Sequence, residues 1–150
     1  MNHVTELFSN YILICAVIAW FSAQAIKLVI GLVQHRSFNF TILYSAGGMP
    51  SSHSSTVCAT ACSTALTCGL ASPEFALAVI FAFVVMYDAA GVRRAAGEQA
   101  KILNRIVADL EAGQTRYMTK NLKELLGHTP LEVFVGALLG ILIPFLVRMI

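Results

Sequence analysis

Two histidines stand among residues suited to phosphate chemistry. His53 lies in the run Gly47-Gly48-Met49-Pro50-Ser51-Ser52-His53-Ser54-Ser55. The glycines allow an unusual backbone path, Pro50 suits the first turn of a helix, and the serines open the helix that follows. Backbone N–H groups at a helix start, with hydroxyls beside them, form an anion site. A histidine in that turn can give a proton to a leaving oxygen. The same run also reads as a serine-capped helix start that happens to carry a histidine. His128 lies in Gly127-His128-Thr129-Pro130-Leu131-Glu132. Thr129 with Glu132 fits a capping box, and Pro130 fits the first helical position. Glu132 also follows His128 at i+4, a spacing at which a carboxylate can hold the tautomer of a nucleophilic imidazole. The two readings of Glu132 are compatible.

A third stretch, Tyr87-Asp88-Ala89-Ala90-Gly91-Val92-Arg93-Arg94, ends an apolar run. Paired arginines there can clamp phosphate oxygens. As plain topology anchors, with Arg94 paired to Glu98, they need no ligand. That reading leaves Asp88 unexplained, because an acid at the end of an apolar run is costly unless it has work to do, such as orienting a cation. Lys27 and Arg36 add positive charge near the end of the first apolar segment.

Composition sets what must position these groups. The chain has 150 residues, of which 57% are hydrophobic and only 12% charged. Its mean hydropathy is +0.75, and soluble domains are about 25% charged. Four segments are apolar enough to span a bilayer: about Tyr11 to Leu32, Ser52 to Ala71, Phe75 to Val92 and Leu131 to Val147. In lipid these must be helices. The second is rich in Ala, Thr, Ser and Cys, which suit helix–helix contact. Between the third and fourth, Gln99 to Leu110 places Ile102, Leu103, Ile106, Val107 and Leu110 at helical spacing opposite Lys101, Arg105 and Asp109. That pattern predicts an amphipathic helix on the membrane or against the other helices. The expected fold is therefore all-α: about four transmembrane helices plus an amphipathic interfacial helix, with residues 1–150 as one integral membrane domain.

Nine of the ten basic residues fall at or near the two long loops, and only Arg148 lies elsewhere. The positive-inside rule predicts cytoplasmic loops and external termini, in the inner membrane if the source is bacterial. No basic residue precedes the first apolar segment, so that segment is expected to be retained. A four-helix hairpin array brings Lys27 and Arg36, Ser51-Ser52-His53, Asp88 with Arg93 and Arg94, and His128 with Glu132 to one membrane face. Cys15, Cys58, Cys62 and Cys68 lie in apolar runs and read as packing residues. Gly136 and Gly140 form a small-xxx-small pair, and Pro144 is expected to kink the last helix.

Together these three stretches resemble the divergent type 2 phosphatidic acid phosphatase family, related to acid phosphatases and vanadium-dependent haloperoxidases. The resemblance covers nearly the whole chain. Pro50-Ser51-Ser52-His53 is similar to the superfamily motif Pro-Ser-Gly-His, with Ser for Gly. His128-x3-Glu132 resembles the end of Ser-Arg-x5-His-x3-Asp, with Glu for Asp. Lys27 resembles the Lys of Lys-x6-Arg-Pro, but Arg36 stands at another spacing without Pro. Leu122 occupies the position of the third motif's Arg, a charge that Arg93 or Arg94 would replace from another helix. The resemblance implies His128 as a nucleophile forming phosphohistidine, Glu132 as its orienting acid, and His53 as proton donor. Lys27, Ser51, Ser52, Arg93 and Arg94 would hold the phosphate, with Asp88 and Arg36 in support. It implies no metal and no cofactor.

The expected function is hydrolysis of a phosphate monoester or diphosphate on a lipid. Its first rival is a non-catalytic phospholipid-binding or transport protein on a degenerate phosphatase scaffold. A metal-dependent lipid-phosphate transferase is the second, although one Asp supplies too few carboxylates for a magnesium site. Expected partners are a phosphorylated lipid, the bilayer and a possible second copy of the chain, with no nucleic acid.

Overall fold

A computed structural model describes residues 3–35, 48–111 and 127–149. Among the described residues there are six helices and no strand: α1 (His3–Phe8), α2 (Tyr11–His35), α3 (Ser52–Cys68), α4 (Pro73–Ala90), α5 (Val92–Glu111) and α6 (Pro130–Arg148). Local chemistry fixes their ends. The Ser51 hydroxyl accepts from the Ser54 N–H to start α3, and Gly69, at φ +88°, ends it with its N–H on the Ala65 carbonyl. Ser72 caps α4 with Pro73 behind it. Thr129 and Glu132 form the expected capping box at α6. Pro50 sits ahead of the α3 cap, not in its first turn, because Ser51 takes the capping position.

The chain is all-helical, as expected. Among the described residues, three helices of 18 or more residues are long and apolar enough to cross a membrane, within Tyr11–Val33, Pro73–Ala108 and Pro130–Arg148. The fourth expected span is α3, which stops at Cys68 after 17 residues. That length, about 25 Å, is at the lower end of what crosses a hydrocarbon layer. α3 is the hub of the bundle and packs against α2, α4 and α6. Its hydroxyls turn back on its own carbonyls, as in Thr56 to Ser52 (2.8 Å), Thr60 to Thr56 (3.0 Å) and Thr64 to Thr60 (2.8 Å). Each of these three hydroxyls is thus satisfied without water. Large apolar side chains of the outer helices, among them Phe81, Phe134 and Leu138, are exposed at the surface of the bundle.

The small-residue pair on α6 works as expected. A Cβ on Gly136 would overlap the Ser51 carbonyl and lie 3.1 Å from the Ser54 Cβ, and one on Gly140 would lie 2.9 Å from the Cys58 Cβ. The α3 and α6 backbones therefore touch directly. Two long-range hydrogen bonds add register. The Ser55 hydroxyl donates to the Ala19 carbonyl of α2 at 3.0 Å. The Tyr11 hydroxyl donates to the Pro144 carbonyl of α6 at 2.6 Å.

The amphipathic helix begins earlier than its pattern predicts, at Val92 rather than near Gln99. It packs against α4. Among its described side chains, Gly97 and Ala100 are buried, whereas Ile102, Leu103 and Ile106 are exposed. Its apolar face is turned outward, where a membrane protein meets lipid. The side chains of Asp109 and Leu110 lie outside the described residues.

Candidate functional site

Helix starts and helix ends build the site together. The Ser51 N–H donates to the Glu132 carbonyl at 3.0 Å, stapling the start of α3 to the first turn of α6. The His128 N–H donates to the Ala89 carbonyl at 3.0 Å, which ties the residue before the α6 cap to the end of α4. Two backbone bonds thus bring three helix ends together before any side chain acts.

His128 is almost fully buried, at 1% exposure. Its Nδ1 lies 3.1 Å from Glu132 Oε2. The same oxygen accepts the Thr129 N–H at 3.1 Å. Glu132 therefore closes the capping box and holds the imidazole with one atom, so both sequence readings of it are true at once. A carboxylate on Nδ1 places the neutral ring's proton there and turns Nε2 into the lone-pair nitrogen. The His53 ring lies beside it, with ring centroids 5.7 Å apart and planes inclined by 66°.

Lys27, on α2, is buried at 4% exposure. Glu132 is near enough to act on it electrostatically. Gly48, at φ +97°, brings its backbone over the lysine stem, and a Cβ there would lie 3.9 Å from Lys27 Cδ. A positive φ of that size favours glycine. Ser51 and Ser52 are also buried. Ser51 spends its hydroxyl on the α3 cap and its N–H on Glu132. Anion donors at this helix start therefore fall to the residues after it. Asp88 is half-buried at the end of α4, next to the carbonyl that receives the His128 N–H.

Of the residues singled out in the sequence, Lys27, Ser51, Ser52, His53, Asp88, His128 and Glu132 lie at the joined helix ends. Arg93 and Arg94 open α5, which follows α4 after Gly91 alone, but their side chains lie outside the described residues. Arg36 and Leu122 also lie outside them. One polar residue was missed. Gln24 is 8% exposed and stands one turn before Lys27. The signal was present as an i, i+3 polar pair in an otherwise apolar run.

Comparison with known proteins agrees with the motifs. The model of the Divergent PAP2 family matches residues 8–143. The uncharacterized membrane protein YuiD of Bacillus subtilis (strain 168) is 43% identical over 148 residues, covering 92% of this chain and 94% of that protein. No solved structure matches the chain significantly. Apolar helices, the family model and a membrane-protein relative that aligns almost end to end converge on one assignment: this integral membrane protein belongs to the Divergent PAP2 family.

Proposed function

We propose that the chain is a phosphatase of lipid phosphates that works through a phosphohistidine. The observation that carries the reading is the His128–Glu132 contact at 3.1 Å with the His53 ring beside it. A carboxylate-held imidazole next to a second imidazole supplies a nucleophile and an acid. His128 Nε2 attacks phosphorus. The bond from phosphorus to the lipid oxygen breaks, and that oxygen takes its electron pair and a proton from His53. Water then attacks the phosphohistidine, neutral His53 accepts the water's proton, and inorganic phosphate leaves. Lys27 balances charge on the transferred group, with Arg93 and Arg94 supplying the cationic clamp. With α3 as the fourth crossing, the distribution of basic residues supports a site on the cytoplasmic face and both termini outside.

The test is phosphate release by purified protein in detergent with chelator present. Phosphatidate, phosphatidylglycerol phosphate and prenyl diphosphate are the substrates. His53→Ala should slow turnover roughly 10²–10⁴-fold, the usual contribution of a general acid. His128→Ala should abolish turnover and the acid-labile phosphoenzyme. Full activity in a folded His128→Ala protein would sink the nucleophile assignment. The second reading, phospholipid binding without turnover, is favoured by the burial of His128, which leaves it 1% exposed. Retention of a phosphorylated lipid with no phosphate release would select it.

A further inference from the structure

We propose that an apolar groove along α3 and α4 holds one alkyl chain of the lipid whose phosphate occupies the histidine site. The inference rests on the phosphate-site reading above and names the shape of its ligand. The groove has a volume of about 430 Å³ and is walled by α3, α4 and α6. Cys58, Ala61 and Ala65 form a low floor on α3, and Phe75, Phe83 and Met86 form the wall on α4.

Three observations point to a chain from a lipid bound at the site. The first is continuity. The groove's near end is the contact of Cys58 Sγ with Met86 Sδ at 3.5 Å. Met86 precedes Asp88 by two residues, and Cys58 follows His53 by five, so at about 1.5 Å per residue the groove begins within roughly 8 Å of the polar cluster. The second is direction. From Met86 to Phe75 the wall runs roughly 16 Å along α4, away from the polar end and into the apolar depth of the bundle. The third is capacity. At about 30 Å³ per group of water or methylene size, 430 Å³ holds roughly fourteen groups, enough for one alkyl chain. A diacyl lipid would place one chain here and leave the other in the bilayer.

Two arms test this. In the first, a phosphatidate with a diazirine midway along one chain is irradiated with the protein in nanodiscs. The same lipid with its phosphate replaced by a free hydroxyl is the control. The phosphate form should label groove residues of α3 and α4 several-fold more than the control. Equal labelling by both would mean bulk lipid fills the groove and would overturn the proposal. In the second arm, Ala65→Phe fills the groove floor. It should weaken a long-chain lipid phosphate about tenfold, the loss of roughly two buried methylenes. A short-chain monoester should change less than twofold. Equal effects on both chain lengths would overturn the proposal. Head-selective labelling in a protein that releases no phosphate would keep the groove and sink the phosphatase reading, so the two failures are separable.

Discussion

Replacing Gly136 by alanine is the sharpest test of how the bundle is held together. The new Cβ would overlap the Ser51 carbonyl oxygen and come to 3.1 Å from both the Ser51 nitrogen and the Ser54 Cβ. None of these is the far end of a flexible side chain, so α6 must move off α3 by about 1 Å to reach ordinary packing distance. Such a shift stretches the 3.0 Å bond from the Ser51 N–H to the Glu132 carbonyl past its useful length. Overpacking of this kind costs about 1–3 kcal/mol. An orphaned buried donor adds roughly 1–3 kcal/mol. Alanine recovers about 1 kcal/mol through its better helix propensity. The net expectation is a loss of about 1–5 kcal/mol, read as reversible unfolding in mixed micelles. Leu138→Ala on the outer face of α6 is the control. Leu138 is 52% exposed, and trading its contacts for lipid should cost little. If Gly136→Ala is as stable as the parent protein, the α3 and α6 backbones do not touch, and the geometry built on them fails.

Glu132→Gln keeps an oxygen where one oxygen now serves both Thr129 and His128, so stability should change by less than about 0.5 kcal/mol while turnover falls by orders of magnitude with the lost charge. Glu132→Ala should lose activity and also about 1 kcal/mol of capping; wild-type turnover in the Gln variant would refute the role of the carboxylate. Lys27→Met removes a charge that is only 4% exposed, so phosphate release and lipid-phosphate retention should collapse in a protein that still folds. A Lys27→Met protein that keeps both would remove the lysine from the site. Tyr11→Phe deletes a 2.6 Å bond between α2 and α6 far from the histidines, so it should cost about 0.5–1.5 kcal/mol of stability and leave turnover unchanged.

Local signals were the legible part of this fold. Thr129, Pro130 and Glu132 announced the start of α6, and the i, i+4 step from His128 to Glu132 placed a ring and a carboxylate on one turn. The Gly136–Gly140 step foretold a close helix crossing, though not which helix would be crossed. What local pattern could not carry was environment. The hydroxyls of α3 gave no sign in the sequence of where they bond, and in the fold they turn back on their own carbonyls, which lets a polar helix sit at the centre of the bundle. The i, i+3 pair of Gln24 with Lys27 was visible in the sequence, but only the fold shows that both lie on a buried face. In α5, the pattern gave the apolar stripe of Ile102, Leu103 and Ile106 but could not decide whether it faced the bundle or lipid.

The central position of α3 has a consequence for how the protein is made. A helix of 17 residues dominated by serine, threonine, cysteine and alanine partitions poorly into lipid by itself. Three apolar helices screen it in the finished bundle. During synthesis only α2 has already emerged when α3 does, and the Ser55 hydroxyl has the Ala19 carbonyl to dock on. The four residues from Gly69 to Ser72 then fold α4 back along it. Membrane insertion of this segment is thus an act of its neighbours. α3 enters as the inner limb of a hairpin, and it stays because α6 later closes over the glycine face.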